Sequence, residues 1–392
     1  MMGDPADLTA VAAARAIRAG SLTAPALLEA CLARVAAREP VLQAMAHYDP
    51  AQARAVQPRP GPLHGLPVGV KDVIDTADMP SEYNSPIWHG HRPRADAACV
   101  AWARAAGAVV LGKTVTTEFA TRFPGPTTNP HDPMRTPGGS SSGSAAAVAA
   151  GYFPLAYGTQ TAGSVIRPAA YCGVVGYKPS FGTINRFGMK LMSDSLDTVG
   201  VMARSVADCA LLVGAVTGLD LGDPDVRPAR PPRIGVCRSP VWDRAAPETE
   251  ALFERVPGAL ARAGAEVREF ELPPEFDRLE AAHAVVMNGE SARALGWEMN
   301  TARDKLSPVL RERMEWGLAQ PAATLLEAQA LFRRLQAGFA AHAIRARGGA
   351  GRSGVDRRPG IQLHLDELAR AVRDGAGGPR PGRHATGRAD RD

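Results

Sequence analysis

Apolar positions recur at helical spacing in two neighbouring stretches near the start of the chain, 8–18 and 24–37. Residues three and four apart share one helix face, so each stretch is expected to bury that face against a larger body. Gly20 fits a helix stop, Ser21 the cap of the second helix and Pro25 its first turn, because glycine accepts a left-handed turn and a first-turn proline loses no amide bond. A helical hairpin over 1–50 follows. Beyond it the period changes. A short β-type run at 65–70 delivers Lys71 and Asp72, 97–106 reads as a helix, and 109–113 as a buried strand. A Pro/Gly/Ser loop at 136–144 enters the alanine-rich segment 145–150, which favours helix. A strand-like run at 153–158, a turn of small residues at 160–164 and a second strand at 173–177 come next. The pattern then gives a helix at 205–213, a strand at 233–237, an amphipathic helix at 248–263 and mostly helical periodicity over 290–341. Strands alternating with helices predict an α/β layered domain. No internal repeat is present.

Composition narrows the class. Of the 392 residues, 45% are hydrophobic and 22% charged, as in a soluble globular protein. No apolar run approaches the roughly 20 residues needed to cross a bilayer. The first seven residues carry Asp4 and Asp7 and lack the basic-then-apolar order of a signal peptide, so a cytoplasmic protein is expected. Five scattered cysteines, Cys31, Cys99, Cys172, Cys209 and Cys237, form no C-x-x-C pair, so they read as buried free thiols rather than a zinc or redox site. A net charge of +5 raises the question of a nucleic-acid partner. Its distribution argues against one: from Arg345 onward 11 Arg stand against 6 acids, a surplus that accounts for the whole net charge. Lysine is scarce. Lys71, Lys113, Lys178, Lys190 and Lys305 are the only ones, which makes each worth a question.

The chemistry concentrates in Thr136-Pro137-Gly138-Gly139-Ser140-Ser141-Ser142-Gly143-Ser144 and Gly158-Thr159-Gln160-Thr161-Ala162-Gly163-Ser164. Glycines let backbone amides approach a reacting group and adopt positive φ. A serine ending such a turn can stand exposed while neighbouring N–H groups form an oxyanion hole. A flexible linker would not run straight into an alanine helix and a strand, and the phosphate-loop pattern G-x-x-x-x-G-K-[ST] is absent. No G-x-S-x-G surrounds Ser164, which disfavours a Ser-His-Asp hydrolase, and none of the nine His lies beside these motifs in sequence.

In these segments the chain resembles the amidase-signature family. That family carries G-G-S-S-G-G-S, an Ala-rich helix, G-T-D-T-G-G-S and P-A-x-x-C-G-x-x-G-x-K-P. Here the counterparts are 138–144, 158–164 and Pro168-Ala169-Ala170-Tyr171-Cys172-Gly173-Val174-Val175-Gly176-Tyr177-Lys178-Pro179. Val70-Lys71-Asp72 matches the family's V-K-D segment, and 195–208 its S-x-D-x-x-G-x-x-A-R-x-x-x-D segment. The resemblance runs to roughly residue 340. It implies an α/β/α fold with a central mixed sheet covered by helices, the main domain spanning 51–341. It implies a Ser-Ser-Lys triad: Ser164 as nucleophile forming an acyl-enzyme, Ser140, preceded by a cis peptide bond, as proton relay, and Lys71 as base. The backbone amides of Thr161, Ala162, Gly163 and Ser164 would hold the oxyanion. A small-molecule amide is the implied substrate, with no metal or organic cofactor, no nucleic-acid or membrane partner, and a homodimer allowed.

Within this resemblance Asp72, Asp197 and Arg204 read as scaffold charges, Ser141 and Ser142 as partners of loop backbone, and Cys172 as a packing residue. Glu118, Phe119, Arg122 and Phe123 are candidates for lining the cleft. The family's usual acid in G-T-D-T is Gln160 here, Ala162 and Ser142 replace usual glycines, and Arg167 sits one place later than in the common order.

The tail, 342–392, is dense in Arg, Gly and Pro and departs from the family's pattern. Its composition predicts disorder. Residues 360–368 can also be encoded so that the next reading frame gives Ala-Phe-Asn-Ser-Thr-Trp-Thr-Ser-Leu, which resembles the family's core. A change of frame near 338–345 is therefore an expectation that the nucleotide sequence tests. Two alternatives to a free-standing amidase stay open: a glutaminase-type subunit of a tRNA-dependent amidotransferase, and a catalytically defective amidase-like product lacking part of its core.

Overall fold

The computed structural model describes residues 3–224, 226 and 229–346. Helices α1 (Ala10–Arg18) and α2 (Ala24–Leu42) open the chain, joined by a turn in which Gly20 takes a positive φ of 73°. The cap of α2 is Thr23 rather than Ser21: its hydroxyl accepts from the Ala26 amide, while Ser21 donates back to the Ala16 carbonyl. Both residue types can cap a helix, and the position two residues nearer the helix prevails.

Strand β1 (Met45–Tyr48), helix α3 (Pro50–Ala55), strand β2 (Pro67–Lys71), helix α4 (Ala98–Ala105) and strand β3 (Val109–Thr114) follow. Then come α5 (Ser142–Ala150), β4 (Leu155–Gln160), α6 (Ile166–Cys172), β5 (Val175–Tyr177), β6 (Thr198–Ala203) and α7 (Val206–Thr217). The six strands form one mixed sheet in the order β1-β3-β2-β4-β6-β5. Strand β2 runs parallel to both its neighbours, and the β1–β3, β4–β6 and β6–β5 pairs are antiparallel. Every residue of β2, β3, β4 and β6 is buried, so both faces of the sheet are covered. Strands buried on both faces read as near-continuous apolar runs, which is why β2 and β3 are visible in the sequence.

Helix α5 lies against the strands with small side chains only. Within it, a Cβ added to Gly143 would meet the Ala44 carbonyl oxygen at 2.3 Å and the Val115 nitrogen at 2.4 Å. Ser144 pins the helix to the sheet, its hydroxyl 2.8 Å from the Tyr157 carbonyl and 2.6 Å from Thr114 Oγ1. The N-terminal residues are tied down by buried charges. Arg204 donates to the carbonyls of Ala6, Leu8 and Val148, and Asp208 accepts from the Val11 amide.

The rest of the described chain is β7 (Arg233–Val236), α8 (Pro247–Arg262), β8 (Glu266–Glu269), α9 (Leu279–Ala294), α10 (Gly296–Thr301), α11 (Pro308–Ala319) and α12 (Ala322–Ala346). Strands β7 and β8 pair in parallel as a separate two-stranded sheet. Helices α9 and α12 share a second apolar cluster that includes Val286, Leu325 and Leu331. Four cysteines are buried as expected, but Cys237, just past the short outlying strand β7, is only half-buried. Among the described residues no helix is long and apolar enough to cross a membrane. Residues 347–392, and with them most of the expected tail and its altered frame, lie outside the described residues.

Candidate active site

Strand β2 ends at Lys71, in the middle of the sheet, with β3 on one side and β4 on the other. The backbone therefore fixes where the ammonium stem starts, and the packed sheet fixes where it goes. The side chain is fully buried. Its Nζ lies 2.7 Å from Ser140 Oγ, 2.7 Å from Thr159 Oγ1 and 3.4 Å from the Thr159 carbonyl. Burial pulls its pKa down to about 7; Asp197 pulls against that shift and Arg167 adds to it. Desolvation penalises the charged form of an amine, so a lysine in such a place is partly neutral near pH 7.

Ser140 sits in the loop before α5, after a cis Gly139–Ser140 peptide bond, and is 1% exposed. Ser164 lies in the turn between β4 and α6 and is 8% exposed. The two serine loops touch through their backbones: the Ser141 amide donates to the Ser164 carbonyl at 3.3 Å. Ser141 Oγ also accepts from the Thr159 amide at 3.2 Å and faces the Thr159 carbonyl at 3.3 Å. Thus Lys71, Ser140 and the turn 159–164 are brought to one place. Among the described residues no hydrogen bond joins the Ser140 and Ser164 hydroxyls.

The turn itself is held from both ends. Gln160 Oε1 accepts from the amides of Val165 at 2.8 Å and Ile166 at 3.1 Å, satisfying donors at the start of α6. These bonds need only an acceptor oxygen, so the amide serves without a charge. Thr161 donates its hydroxyl to Asp197 at 2.5 Å, and Asp197 also accepts from the amides of Met192 and Ser193. Between these anchors the amides of Ala162, Gly163 and Ser164 donate to no protein acceptor among the described residues. Arg167, the second residue of α6, donates from Nε and a terminal nitrogen to the Gly139 carbonyl at 3.1 and 2.9 Å, clamping the two loops together.

The other candidates separate. Asp72 forms a buried ion pair with Lys113 at 2.9 Å. Cys172 is buried, with Sγ 3.5 Å from the Pro137 carbonyl and its pKa raised by burial. Glu118 and Phe119 are buried rather than presented to solvent; Glu118 is consumed by the amide and hydroxyl of Ser307. Arg122 and Phe123 of the same loop are exposed.

Two influences on the site carry no sequence signal. Thr159 touches Lys71 from the strand end that precedes the turn, and a threonine at a strand end has no mark of its own. Burial and then Arg313 hold the pKa of His283, from α9, below the usual value, against the influence of the Thr161 backbone, which raises it. The sequence distance of His283, more than a hundred residues from the turn, hides that influence.

The Amidase family model matches residues 26–341. The chain is 40% identical over 295 residues to the A subunit of glutamyl-tRNA(Gln) amidotransferase from Chloroflexus aurantiacus, covering 68% of this chain and 61% of that protein. The protein of the same name from Acidothermus cellulolyticus is 40% identical over 325 residues, covering 75% of this chain and 64% of that one. The chain thus spans little more than three fifths of the length of these curated relatives. Among solved structures, an amidase superposes with a TM-score of 0.77 at 32% identity, over 85% of this chain and 79% of that one. The peptide amidase from Stenotrophomonas maltophilia gives 0.72 at 32% identity, over 86% and 82%. A match of this extent, on a fold that brings the glycine- and serine-rich turns and the buried lysine together, makes the chain a member of the amidase-signature family.

Proposed function

We propose that the protein hydrolyses a carboxylic amide through an acyl-enzyme on Ser164, with Ser140 and Lys71 as its proton path. The observation that carries this is the fully buried Lys71, 2.7 Å from Ser140 Oγ and with a pKa lowered to about 7. A general base works best when its pKa lies near the operating pH.

Ser164 is the most exposed of the three and so the one a substrate carbonyl can reach. Its Oγ attacks the carbonyl carbon while its proton passes to Ser140 Oγ, whose own proton passes to neutral Lys71. The hydrogen bond between the two hydroxyls forms in the substrate complex, since catalytic hydrogen bonds often tighten only there. The tetrahedral oxyanion is held by the backbone amides of the 161–164 turn; one such donor is worth about 2.7–4 kcal/mol to the transition state. As the C–N bond breaks, Lys71 returns its proton through Ser140 to the leaving nitrogen. Water then adds to the ester by the same path and releases the acid and Ser164.

A fluorophosphonate probe tests this, because it reports an activated serine whatever the substrate. Labelling of the wild type that disappears in Ser164→Ala and Lys71→Ala supports the proposal. A folded wild type that does not label overturns it and leaves a remnant of an amidase.

A second reading, a glutaminase-type subunit of a tRNA-dependent amidotransferase, draws on the 40% identity to proteins of that name. It predicts ammonia release from glutamine coupled to amidation of glutamyl-tRNA in the presence of partner subunits. Hydrolysis of simple amides by the chain alone favours the first reading.

A further inference from the structure

Gln160 and Thr198 are paired at the ends of β4 and β6, so the residues just beyond them, Thr161 and Asp197, leave the sheet side by side. The Thr161 hydroxyl donates to Asp197 Oδ1 at 2.5 Å, which ties down the head of the nucleophile's turn. Asp197 Oδ2 accepts from the amides of Met192 and Ser193 at 2.7 and 3.0 Å. The carboxylate is therefore aimed by the loop that precedes it, and that loop turns back on itself: the amides of Leu196 and Asp197 donate to the Ser193 carbonyl at 3.2 and 2.9 Å. A short loop holds a side chain only as firmly as it is itself held.

Two groups hold it. Arg186 donates to the carbonyls of Asp194 and Asp197 at 2.8 and 3.3 Å and so fixes backbone. Glu290, half-buried on α9, grips the serines. Its Oε2 accepts from the Ser193 hydroxyl at 2.5 Å and the Ser195 amide at 3.0 Å. Its Oε1 accepts from the Ser195 hydroxyl at 2.7 Å and from the side-chain amide of Gln329, on α12, at 2.7 Å. Burial pushes the Glu290 carboxyl up, but the donors from Ser193, Ser195 and Gln329 outweigh it and hold its pKa below the usual value. It is thus an ionised acceptor at neutral pH, and hydrogen bonds to an ionised acceptor are stronger than neutral ones. Ser193 is the joint between the two carboxylates: its hydroxyl goes to Glu290 and its amide to Asp197. Leu196 of the same loop packs against the apolar cluster that α9 and α12 share.

We propose that Glu290 is a positioning residue for the nucleophile's turn, acting through Ser193, Asp197 and Thr161 without touching the substrate. This rests on the serine-nucleophile reading above and gives α9 and α12 a part in the chemistry. Oxyanion donors work only when held within about 0.5 Å of their productive place, so slack in this chain of bonds is felt in the transition state more than in substrate binding.

A double-mutant cycle tests it. Thr161→Val removes the donor to Asp197 and keeps every backbone amide of the turn. The readouts are the second-order rate of fluorophosphonate labelling and, with an amide substrate, kcat and KM separately. Glu290→Ala is expected to slow labelling and lower kcat by about ten- to a hundredfold, the effect of a displacement on the order of 1 Å, with KM nearly unchanged. In the Thr161→Val background, where the chain of bonds is already cut, the same substitution should cost about twofold at most, because residues in one hydrogen-bonded chain do not add. Glu290→Gln keeps the shape and one acceptor oxygen, and it carries the same cycle if Glu290→Ala does not fold. Equal losses in the two backgrounds overturn the inference, since a carboxylate that only stabilises the fold would act regardless of Thr161. A loss seen in KM alone, or none at all, also overturns it. A folded wild type that does not label is distinct from these outcomes: it removes the nucleophile and takes both proposals with it.

Discussion

The sharpest consequence of the site concerns pH. With its ordinary pKa of 10.5, a lysine at pH 7 would be neutral in roughly three molecules in ten thousand. At a pKa of about 7 the neutral fraction is about one half. Burial of Lys71 therefore raises the share of competent base by about three orders of magnitude, which at 1.36 kcal/mol per pKa unit corresponds to a shift on the order of 5 kcal/mol. The sign follows from the role. A base must be deprotonated, so activity is low in acid, rises tenfold per pH unit and levels off above about pH 7. The assay is the second-order rate of fluorophosphonate labelling from about pH 5 to pH 9, repeated with an amide substrate. Arg167→Met removes a cation that helps hold Lys71 down, so the midpoint should move to higher pH. A rate that is flat below pH 7, or one still climbing tenfold per unit beyond pH 9, would refute a buried neutral lysine as the base.

Other substitutions probe the supports. Ser140→Ala removes the hydroxyl on Lys71 that the proposed proton path uses and should slow labelling by about 10²–10⁴-fold, the usual range for a lost proton-transfer group. Gln160→Leu strands the Val165 and Ile166 amides, each worth about 1–3 kcal/mol when left unsatisfied, and Gln160→Glu should restore the loss in a urea titration. Asp72→Leu leaves Lys113 buried without its carboxylate and should cost about 3–5 kcal/mol, seen as a lowered Tm; a change within experimental error would show that the Ser81 hydroxyl and the Pro80 carbonyl suffice for Lys113.

The elements most legible in the sequence are those whose burial or capping leaves a local mark. Strands β2 and β3 are apolar on both faces, and α1, α2 and α8 show helical spacing. Strand β6 escapes a reading by pattern because Thr198-Val199-Gly200-Val201-Met202-Ala203 lies inside a segment matched as a motif. Helix α6 is hidden in the same way: Pro168 looks like a breaker, yet it stands in the first turn, where no amide partner is lost. Gly173, expected to start a strand, instead ends that helix, with a φ of 68°. At the site, Ser140 and the 161–164 turn can be named from sequence because each lies in a local pattern of glycines and serines, and Lys71 because it matches the family's V-K-D segment in a chain short of lysine. Arg313 cannot, since nothing near it in sequence records that α11 packs on α9, where Asn288 accepts from its guanidinium. The acid expected at position 160 illustrates a different limit: sequence shows a lost charge, but only geometry shows that the job there is accepting two amides.

The sheet's arrangement separates two inheritances. The lysine and both serines lie between positions 71 and 164, on strands and turns that are buried and tightly interlocked. His283 and Arg313 come from helices more than a hundred residues later; α9 joins α12 in the second apolar cluster, while Leu310 and Met314 of α11 belong to the main core. The proposed reactive groups and these later helices are thereby encoded in different stretches of the gene. Recombination between relatives that crosses the 205–230 region would exchange the later helices and keep the lysine and both serines, provided that core contacts such as Leu310 and Met314 are matched, a route to variation that leaves the proposed nucleophile in place. Laboratory chimeras joined in that region offer the same shortcut.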